Sequence, residues 1–360
     1  MAGMSNLKRA PRMMLAARHK QTSILHILNA TLQDPEGPKK DSTLMAIMLL
    51  GTFETITCSS PQSIKSWANH VNGATAIVRL RGREQLQTKV GNHMFVYLRT
   101  QIVIDCLQRR LVVPPTILEW SEVALESGSP DDLLEYDLFR IVAKLCSLRS
   151  IEMDQASQTD GKSVIMTLAH SIDADLQGWV EQLPLEYAYS IRTCRSSNAV
   201  LSESGQYQVY PNVWTLIVWN TYRSARLLTN EILKKWLPCY STQTSSFHTM
   251  QHRRCEILHA EISSDICASA PYYLGVGNSA GQNPRAAAGS SLIWPLYLAA
   301  VTDRAPFATR AWVITQLDKI GETMGIRQAT SLANVLKTKY EVTVWDRPKS
   351  YAIDAEEDDW

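Results

Sequence analysis

Four side chains that can bind metals recur at helical spacing in one segment. His248, His252, Cys255 and His259 stand at positions i, i+4, i+7 and i+11, so a helix would place them along one face. Neighbours one turn apart can chelate a transition metal. About eleven residues of helix span roughly 16 Å, so the four cannot all surround one ion. We interpret the row as polar residues along a packing seam, and a metal site completed by another segment is the alternative.

Motifs for nucleophilic catalysis or phosphate binding are not found. The sequence contains neither a G-x-S-x-G elbow nor a P-loop. The string LGVGNSAG carries Gly275, Gly277 and Gly281 but lacks the preceding strand and following helix that a dinucleotide loop needs. We expect a surface loop there. We therefore predict no catalytic residue, cofactor-binding residue or metal ligand, although an active site assembled from distant residues stays open.

Two acid pairs and one histidine have ordinary structural explanations. Asp131–Asp132 and Asp173–Asp175 have no evident partner in the sequence, and acids near helix starts commonly act as caps and dipole partners. His70 lies three residues from Trp67 and four from Ala74. We expect it at the edge of the core, bonded to a backbone group or an arginine.

The cysteines are scattered and odd in number. None forms a C-x-x-C pair, so neither a disulfide framework nor a compact thiolate cage is indicated. They predict buried thiols in a reducing compartment. The seven are Cys58, Cys106, Cys146, Cys194, Cys239, Cys255 and Cys267.

Helical periodicity dominates the elements that would position these residues. After Ser60 and Pro61, apolar residues recur at steps of three and four until Gly82, which predicts a capped amphipathic helix. The spacing predicts an all-α fold, either a multi-helix bundle or an α-solenoid-like array of helix pairs. The other predicted helices are Met13–Gln33, Asp41–Cys58, Asn92–Leu111, Asp131–Ile151, Ile165–Leu183, Tyr207–Trp236, Thr244–Ala268, Leu292–Val301, Val313–Met324 and Ala329–Tyr340.

Clusters of Pro, Gly and Ser predict the irregular connections. They are Asp34–Lys40, Val112–Pro130, Ser190–Gly205 and Gly275–Gly289. Period-two alternation is confined to Tyr340–Trp345, so a sheet-based architecture is not favoured. We predict one helical domain over residues 1–345 and an acidic tail over residues 346–360.

The charge balance gives no sign of a nucleic-acid surface. The 36 basic and 35 acidic side chains leave a formal net charge of +1, whereas duplex binding depends on concentrated positive charge. Five basic residues precede the first acid, Asp34, and residues 354–359 include five acids. The basic start predicts a first helix with a solvated basic face, with a mitochondrial transit peptide as the alternative. No apolar run is long enough to cross a bilayer, so no membrane association is expected.

Four blocks in series resemble the regulatory region of fungal zinc-binuclear-cluster transcription factors. The blocks are WANHVNGATAIVRLRG at Trp67–Gly82, DICASAPYYLG at Asp265–Gly275, SLIWPLYLAA at Ser291–Ala300, and the segment Arg310–Leu332. Their order and separations agree with that family from the first helix to about Lys339. The resemblance implies that Trp67, Ala74, Trp294 and Trp312 are core anchors, that Gly73 permits a close helix approach, and that Gly82 ends its helix.

One feature of the family is missing from this sequence. Full-length members carry a six-cysteine cluster that holds two zinc ions and places a short helix in the major groove, whereas no cysteine precedes Cys58 here. We therefore expect no direct DNA binding from this chain. Two explanations are open: a predicted coding sequence that begins too late and omits an upstream exon, or a natural short protein that works through partners.

The resemblance predicts a transcription regulator without enzymatic activity. Its expected partners are other transcription regulators or a homodimer partner, with a small-molecule effector bound between helices. The expected location is the nucleus, with the cytoplasm as the alternative, and the expected setting is a metabolic or secondary-metabolite gene cluster. A helical enzyme or binding protein for a small hydrophobic metabolite is the competing hypothesis. The acidic tail is interpreted as a solvated terminus, with a short activation segment as the alternative.

Overall fold

The computed structural model describes residues 1–58, 60–126, 130–155, 161–194, 205–237, 246–276, 286–301 and 306–338. These residues form thirteen α-helices and one two-stranded sheet, which confirms the all-α prediction. The helices are α1 (Ala2–Lys8), α2 (Pro11–Leu32), α3 (Asp41–Thr57), α4 (Pro61–Arg81), α5 (Lys89–Arg109), α6 (Pro115–Glu126), α7 (Pro130–Gln155), α8 (Gly161–Glu181), α9 (Val213–Trp236), α10 (Ser246–Ser269), α11 (Ala286–Val301), α12 (Phe307–Met324) and α13 (Arg327–Thr338).

Helices α4 and α12 begin or end at the proline and glycine residues that the sequence predicts as their boundaries. Helix α4 begins with Pro61 after Ser60 and ends at Gly82, whose φ is 70°. Helix α12 ends at Gly325 with φ 71°. A positive φ costs glycine little and other residues much, so these two glycines stop their helices.

The prediction of a loop over Val112–Pro130 is wrong. Helix α6 occupies Pro115–Glu126 within it. Two adjacent prolines indicated a loop, but Pro115 stands at the first helical position, where the missing N–H costs nothing. Ile117 and Trp120, 0% and 7% exposed, then face the core one turn apart.

The prediction of a helix from Tyr207 is also wrong at its start. Gln206–Val209 forms strand β2, which pairs antiparallel with β1 (Ser190–Thr193), part of the predicted loop Ser190–Gly205. Pro211 keeps Tyr210 out of the helical region. Helix α9 begins after Asn212, whose side chain accepts a hydrogen bond from the Thr215 backbone N–H at 2.8 Å.

Three further boundaries differ from the sequence prediction or lie beyond the described residues. A separate helix α1 precedes α2, and Arg9, with φ 48°, divides them. The predicted loop Gly275–Gly289 ends in the first turn of α11, and its residues 277–285 lie outside the described part. So do Tyr340–Trp345 and the tail, residues 346–360.

Consecutive helices pack as pairs around one continuous core. The strongest pairs are α3 with α4, α7 with α8, α8 with α9, α9 with α10, and α12 with α13. Contacts distant in sequence join the two ends of the described chain, because Asn6 Nδ2 donates to the carbonyls of Ile56 (2.9 Å) and Gly325 (2.7 Å). Helix α1 is therefore bonded to the end of α12. None of the described helices combines the length and apolarity that crossing a bilayer requires.

Candidate functional site

A small cleft of about 50 Å³, open to solvent, lies where α5, α7 and α9 meet. Its walls are mainly apolar, with one cation and one carboxylate among them. The lining residues are Arg99, Thr100 and Val103 from α5, Glu135, Leu138, Phe139 and Val142 from α7, and Trp214, Ile217, Val218 and Thr221 from α9. Apolar walls with a few polar groups are typical of small-molecule sites between helices.

Arg99 is held inside the cleft by an aromatic ring. Its guanidinium carbon lies 4.9 Å from the centre of the Phe139 ring, and the residue is only 7% exposed. A cation over a ring face is stabilised by the ring quadrupole, more strongly where water is excluded. The guanidinium therefore keeps a fixed direction and can donate hydrogen bonds to an anion or carbonyl that enters the cleft.

Glu135, one turn before Phe139 on α7, is held in the cleft wall by hydrogen bonds. Its Oε1 accepts hydrogen bonds from the Tyr187 hydroxyl at 3.3 Å and from Trp214 Nε1. Trp214 stands in the first turn of α9, two residues after the Asn212 cap. The hydrogen bond from Trp214 to Glu135 thus connects the start of α9 to α7 in the cleft wall. A molecule that displaces Trp214 would break this hydrogen bond.

Behind the cleft, α9 carries a buried arginine within an aromatic cage. Arg223 is 2% exposed, and its guanidinium carbon lies 5.2 Å from the Trp219 ring, 5.3 Å from the Tyr189 ring and 5.9 Å from the Tyr210 ring. Its Nη1 donates to the Tyr210 hydroxyl and, at 3.4 Å, to Asn220 Oδ1. Among the described residues Nη2 has no hydrogen-bond partner, and no carboxylate pairs with this guanidinium.

A relay of hydrogen bonds connects this cage to the hairpin and to α10. Burial raises the pKa of the Tyr210 hydroxyl, which therefore stays protonated. That hydroxyl donates to Gln208 Oε1 at 2.5 Å, and Gln208 Nε2 donates to Asp265 Oδ1 at 3.1 Å. Trp219 Nε1 donates to the Tyr187 carbonyl at 2.7 Å, next to the Glu135 contact. The cleft and the cage are therefore one bonded system centred on α9.

The row of His248, His252, Cys255 and His259 lies on α10, and its described members have different surroundings. Cys255 is buried, and burial raises the pKa of its thiol. His252 and His259 are half-buried, and burial, with Lys234 nearby, lowers the pKa of His259. The side chain of His248 lies outside the described residues. Within the described part of the chain, no group of three or more His, Cys, Asp or Glu side chains is arranged to hold a metal.

The cysteines that the structure describes are free thiols. Burial raises the pKa of Cys106 and of Cys267 to about 12, so both remain protonated and are poor nucleophiles. Cys58, Cys146 and Cys255 are also buried, Cys194 is half-buried, and Cys239 lies outside the described residues.

Two interpretations of isolated residues need correction. Asp173 and Asp175 lie in the middle of α8 and not at a helix start. They bind neighbouring helices, with Asp173 Oδ1 3.4 Å from Arg226 Nε and Asp175 Oδ2 2.8 Å from Lys144 Nζ. His70 lies at the core edge, but the partner found there is Glu54, with Nε2 to Oε1 at 3.7 Å. The side chains of Asp131 and Asp132 lie outside the described residues.

The residues of the family blocks have mainly packing roles. Ala74 is 1% exposed, and Trp67, Trp294 and Trp312 are half-buried against the core. The expectation for Gly73 is wrong, because a Cβ there would meet nothing within 4 Å, so none of the described helices approaches it closely.

The block Asp265–Gly275 closes around the cage. Asp265 ends the hydrogen-bond relay, and Tyr273 packs 6.4 Å from the Tyr210 ring. The sequence does not predict Arg99, Glu135, Trp214 and Arg223, because they come from three helices and form no motif. The half-buried Trp after the Asn212 cap is the one local signal that could have indicated them.

Comparison with known proteins identifies a family for nearly the whole chain. A family model described as the fungal specific transcription factor domain matches residues 3–347. No curated protein and no solved structure matches.

Proposed function

Because this chain belongs to the fungal specific transcription factor domain family, we propose that it regulates transcription through a small-molecule effector that binds the cleft between α5, α7 and α9. The observation that carries the proposal is the cleft itself, with Arg99 and Glu135 facing an otherwise apolar space. The effector class that fits is a compact apolar molecule with an anionic or carbonyl group directed at Arg99.

The position of α9 supports a way for the effector to act. Trp214 at the cleft and Arg223 in the cage lie on the same helix, about two and a half turns apart. A ligand that moves Trp214 from Glu135 would shift the start of α9, and Arg223 further along the same helix is bonded to the hairpin through Tyr210 and Gln208. An effector changes a conformational equilibrium only by binding one state better. The two states here would be those with the Trp214–Glu135 hydrogen bond formed and broken.

The proposal extends to the setting of the protein. We place it in the nucleus, where it works with other transcription regulators or a second copy. A metabolic or secondary-metabolite gene cluster suits such a regulator, because its genes make or consume small molecules. No chemical step is assigned to the chain.

Benzoate is a suitable probe because it combines an apolar ring with a carboxylate, and benzamide is its neutral counterpart. We expect calorimetry to show benzoate binding more tightly than benzamide, and Arg99→Met to remove the difference. Thr221→Phe fills the cleft and should weaken benzoate at least tenfold, about 1.4 kcal/mol. Thr167→Phe is the matched control, because both hydroxyls donate to the carbonyl one turn earlier and Thr167 is on an exposed face.

The same variants separate regulator from enzyme. In cells, Thr221→Phe should change transcript levels as deletion does, whereas Thr167→Phe should not. Unchanged transcripts with a blocked chemical step would favour the enzyme hypothesis. Equal benzoate binding by wild type and Thr221→Phe, or none by either, would contradict the effector cleft.

A further inference from the structure

The first two helices carry positive charge without any acid. Residues 1–33 contain five basic side chains, so residues 34–360 hold the other 31 basic side chains and all 35 acidic ones. The net charge of +1 therefore conceals one basic end of the chain. The five basic residues are Lys8, Arg9, Arg12, Arg18 and Lys20.

Helix α2 lies on the surface with little of its length buried. Of its 22 residues only Ala17 and Leu28 are buried, and in the described part of the chain its main packing neighbours are α1 and α3. Gln21 Nε2 donates to Glu54 Oε1 of α3 at 2.9 Å. Ala17, Gln21 and Leu28 are spaced by four and seven residues, so they mark the packed side of α2.

The basic residues occupy the other sides of α2 and the end of α1. All five are exposed. Successive helix residues are about 100° apart, so Arg12 points away from the packed side. Arg18 and Lys20 each project about 80° from the packed side, on opposite flanks of the helix. In the described part of the chain no carboxylate forms an ion pair with any of the five.

The surface of α2 favours a polyanion over a second copy or a membrane. Two copies paired through α2 would bring two positively charged helices together, which is unfavourable. A helix that lies in a membrane interface gathers its apolar side chains on the side that enters the lipid. On α2 the exposed Leu15 lies on one side of Arg12, and the exposed Ile24 and Ile27 lie on the other.

Duplex DNA matches this arrangement of charge. A row of phosphates borders each side of the major groove, which is about 12 Å wide and comparable with a helix diameter of about 10–12 Å. Arg18 and Lys20, on opposite flanks, can therefore reach both rows. Thr22, Ser23 and Asn29 are also exposed on α2, and hydroxyl and amide side chains commonly contact DNA phosphates.

We propose that α2 and the end of α1 bind the phosphate backbone of duplex DNA without reading its sequence. The inference goes beyond the effector cleft, since no cleft residue takes part. Such a contact differs from the base reading of the family's zinc cluster. It replaces our expectation, drawn from the missing cluster, that the chain does not contact DNA.

Fluorescence anisotropy with the full chain and a labelled mixed-sequence duplex, two helical turns long, tests the proposal. The logarithm of affinity should fall linearly with the logarithm of salt concentration, with a slope of about 0.9 for each phosphate neutralised. Five contacts give a slope of about 4 to 5. A duplex of the same composition in shuffled order should bind equally well.

Variants of α2 separate charge from folding. The triple variant Arg12→Gln, Arg18→Gln, Lys20→Gln should lower the slope by about 3 and the affinity by about tenfold or more. Glutamine is a good helix former, so the melting temperature should stay unchanged. The charge-preserving variant Arg12→Lys, Arg18→Lys should keep the affinity of wild type within about twofold, because phosphate contacts require charge more than shape.

A matched control removes the same charges elsewhere. Lys162, Arg253 and Arg254 are exposed on α8 and α10, and their replacement by glutamine should leave the slope unchanged. Anionic phosphatidylserine vesicles and polyglutamate, offered instead of DNA, should bind more weakly.

Four results would each overturn the proposal. They are no DNA binding by wild type, a salt-independent affinity, equal losses in the two triple glutamine variants, and tighter binding to vesicles or polyglutamate than to DNA.

Discussion

Replacing Tyr210 with phenylalanine removes one oxygen atom from the buried network around Arg223. The hydroxyl accepts a hydrogen bond from Arg223 Nη1 and donates one to Gln208. Without it the guanidinium keeps only Asn220 Oδ1, at 3.4 Å, and stays 2% exposed among three rings. Tyr210→Phe therefore leaves a buried cation short of acceptors.

The size of the effect follows from that charge. A buried donor deprived of its acceptor costs about 1–3 kcal/mol and more if charged, so we expect Tyr210→Phe to lower the free energy of unfolding by about 3 kcal/mol. Arg223→Met removes the buried cation, and with it both the cost of desolvating that charge and its attraction to the aromatic rings. Because these two contributions offset each other, we expect the free energy of unfolding to fall by no more than about 1 kcal/mol.

The double variant distinguishes this reasoning from a simple count of lost contacts. With Arg223→Met already present, Tyr210→Phe deprives only Gln208 of a partner and should cost about 1 kcal/mol. The cycle thus predicts a coupling of about 2 kcal/mol, measured by urea unfolding followed by circular dichroism. Additive losses, or a loss from Arg223→Met as large as that from Tyr210→Phe, would refute the view of Arg223 as an uncompensated charge.

Two other predictions concern pH and glycine. Burial raises the pKa of Asp105 to about 6, although the neighbouring Arg109 guanidinium acts to lower it. The folded state therefore disfavours the ionised carboxylate. The unfolding free energy of wild type relative to Asp105→Asn should fall by up to about 3 kcal/mol from pH 4 to pH 7. Urea unfolding across that range checks it, and a flat difference would contradict the burial argument. Gly325→Ala should destabilise by more than about 2 kcal/mol, because φ is 71° and its Cβ would approach the Gly3 carbonyl oxygen at 2.4 Å. Gly73→Ala, in open space within α4, should stabilise by about 0.5–1 kcal/mol, and melting temperatures moving in the same direction for both would count against this account.

The fold could be predicted from sequence wherever the apolar periodicity of a segment and its helix-capping residues indicate the same helix. The stretch from Ser60 to Gly82 carries a first-turn proline, a three-and-four apolar rhythm and a terminating glycine, and α4 follows it closely. The predictions failed where a residue type such as proline occurs both in loops and at the start of a helix. Pro115 predicts a loop but begins α6. The stretch after Tyr207 predicts a continuous helix, but Pro211 separates strand β2 from α9.

By itself the sequence determined an all-helical regulator-family domain, because apolar spacing and four ordered blocks are local properties that a linear pattern records. Only the tertiary structure decided which side chains meet. It joined Arg99, Glu135 and Trp214 across three helices, and it buried Arg223 where no carboxylate among the described residues pairs with it. It also left Met45 and Leu49 exposed on α3. Burial and proximity depend on how helices far apart in the chain pack, and the periodicity of one helix does not specify which of its neighbours will cover it.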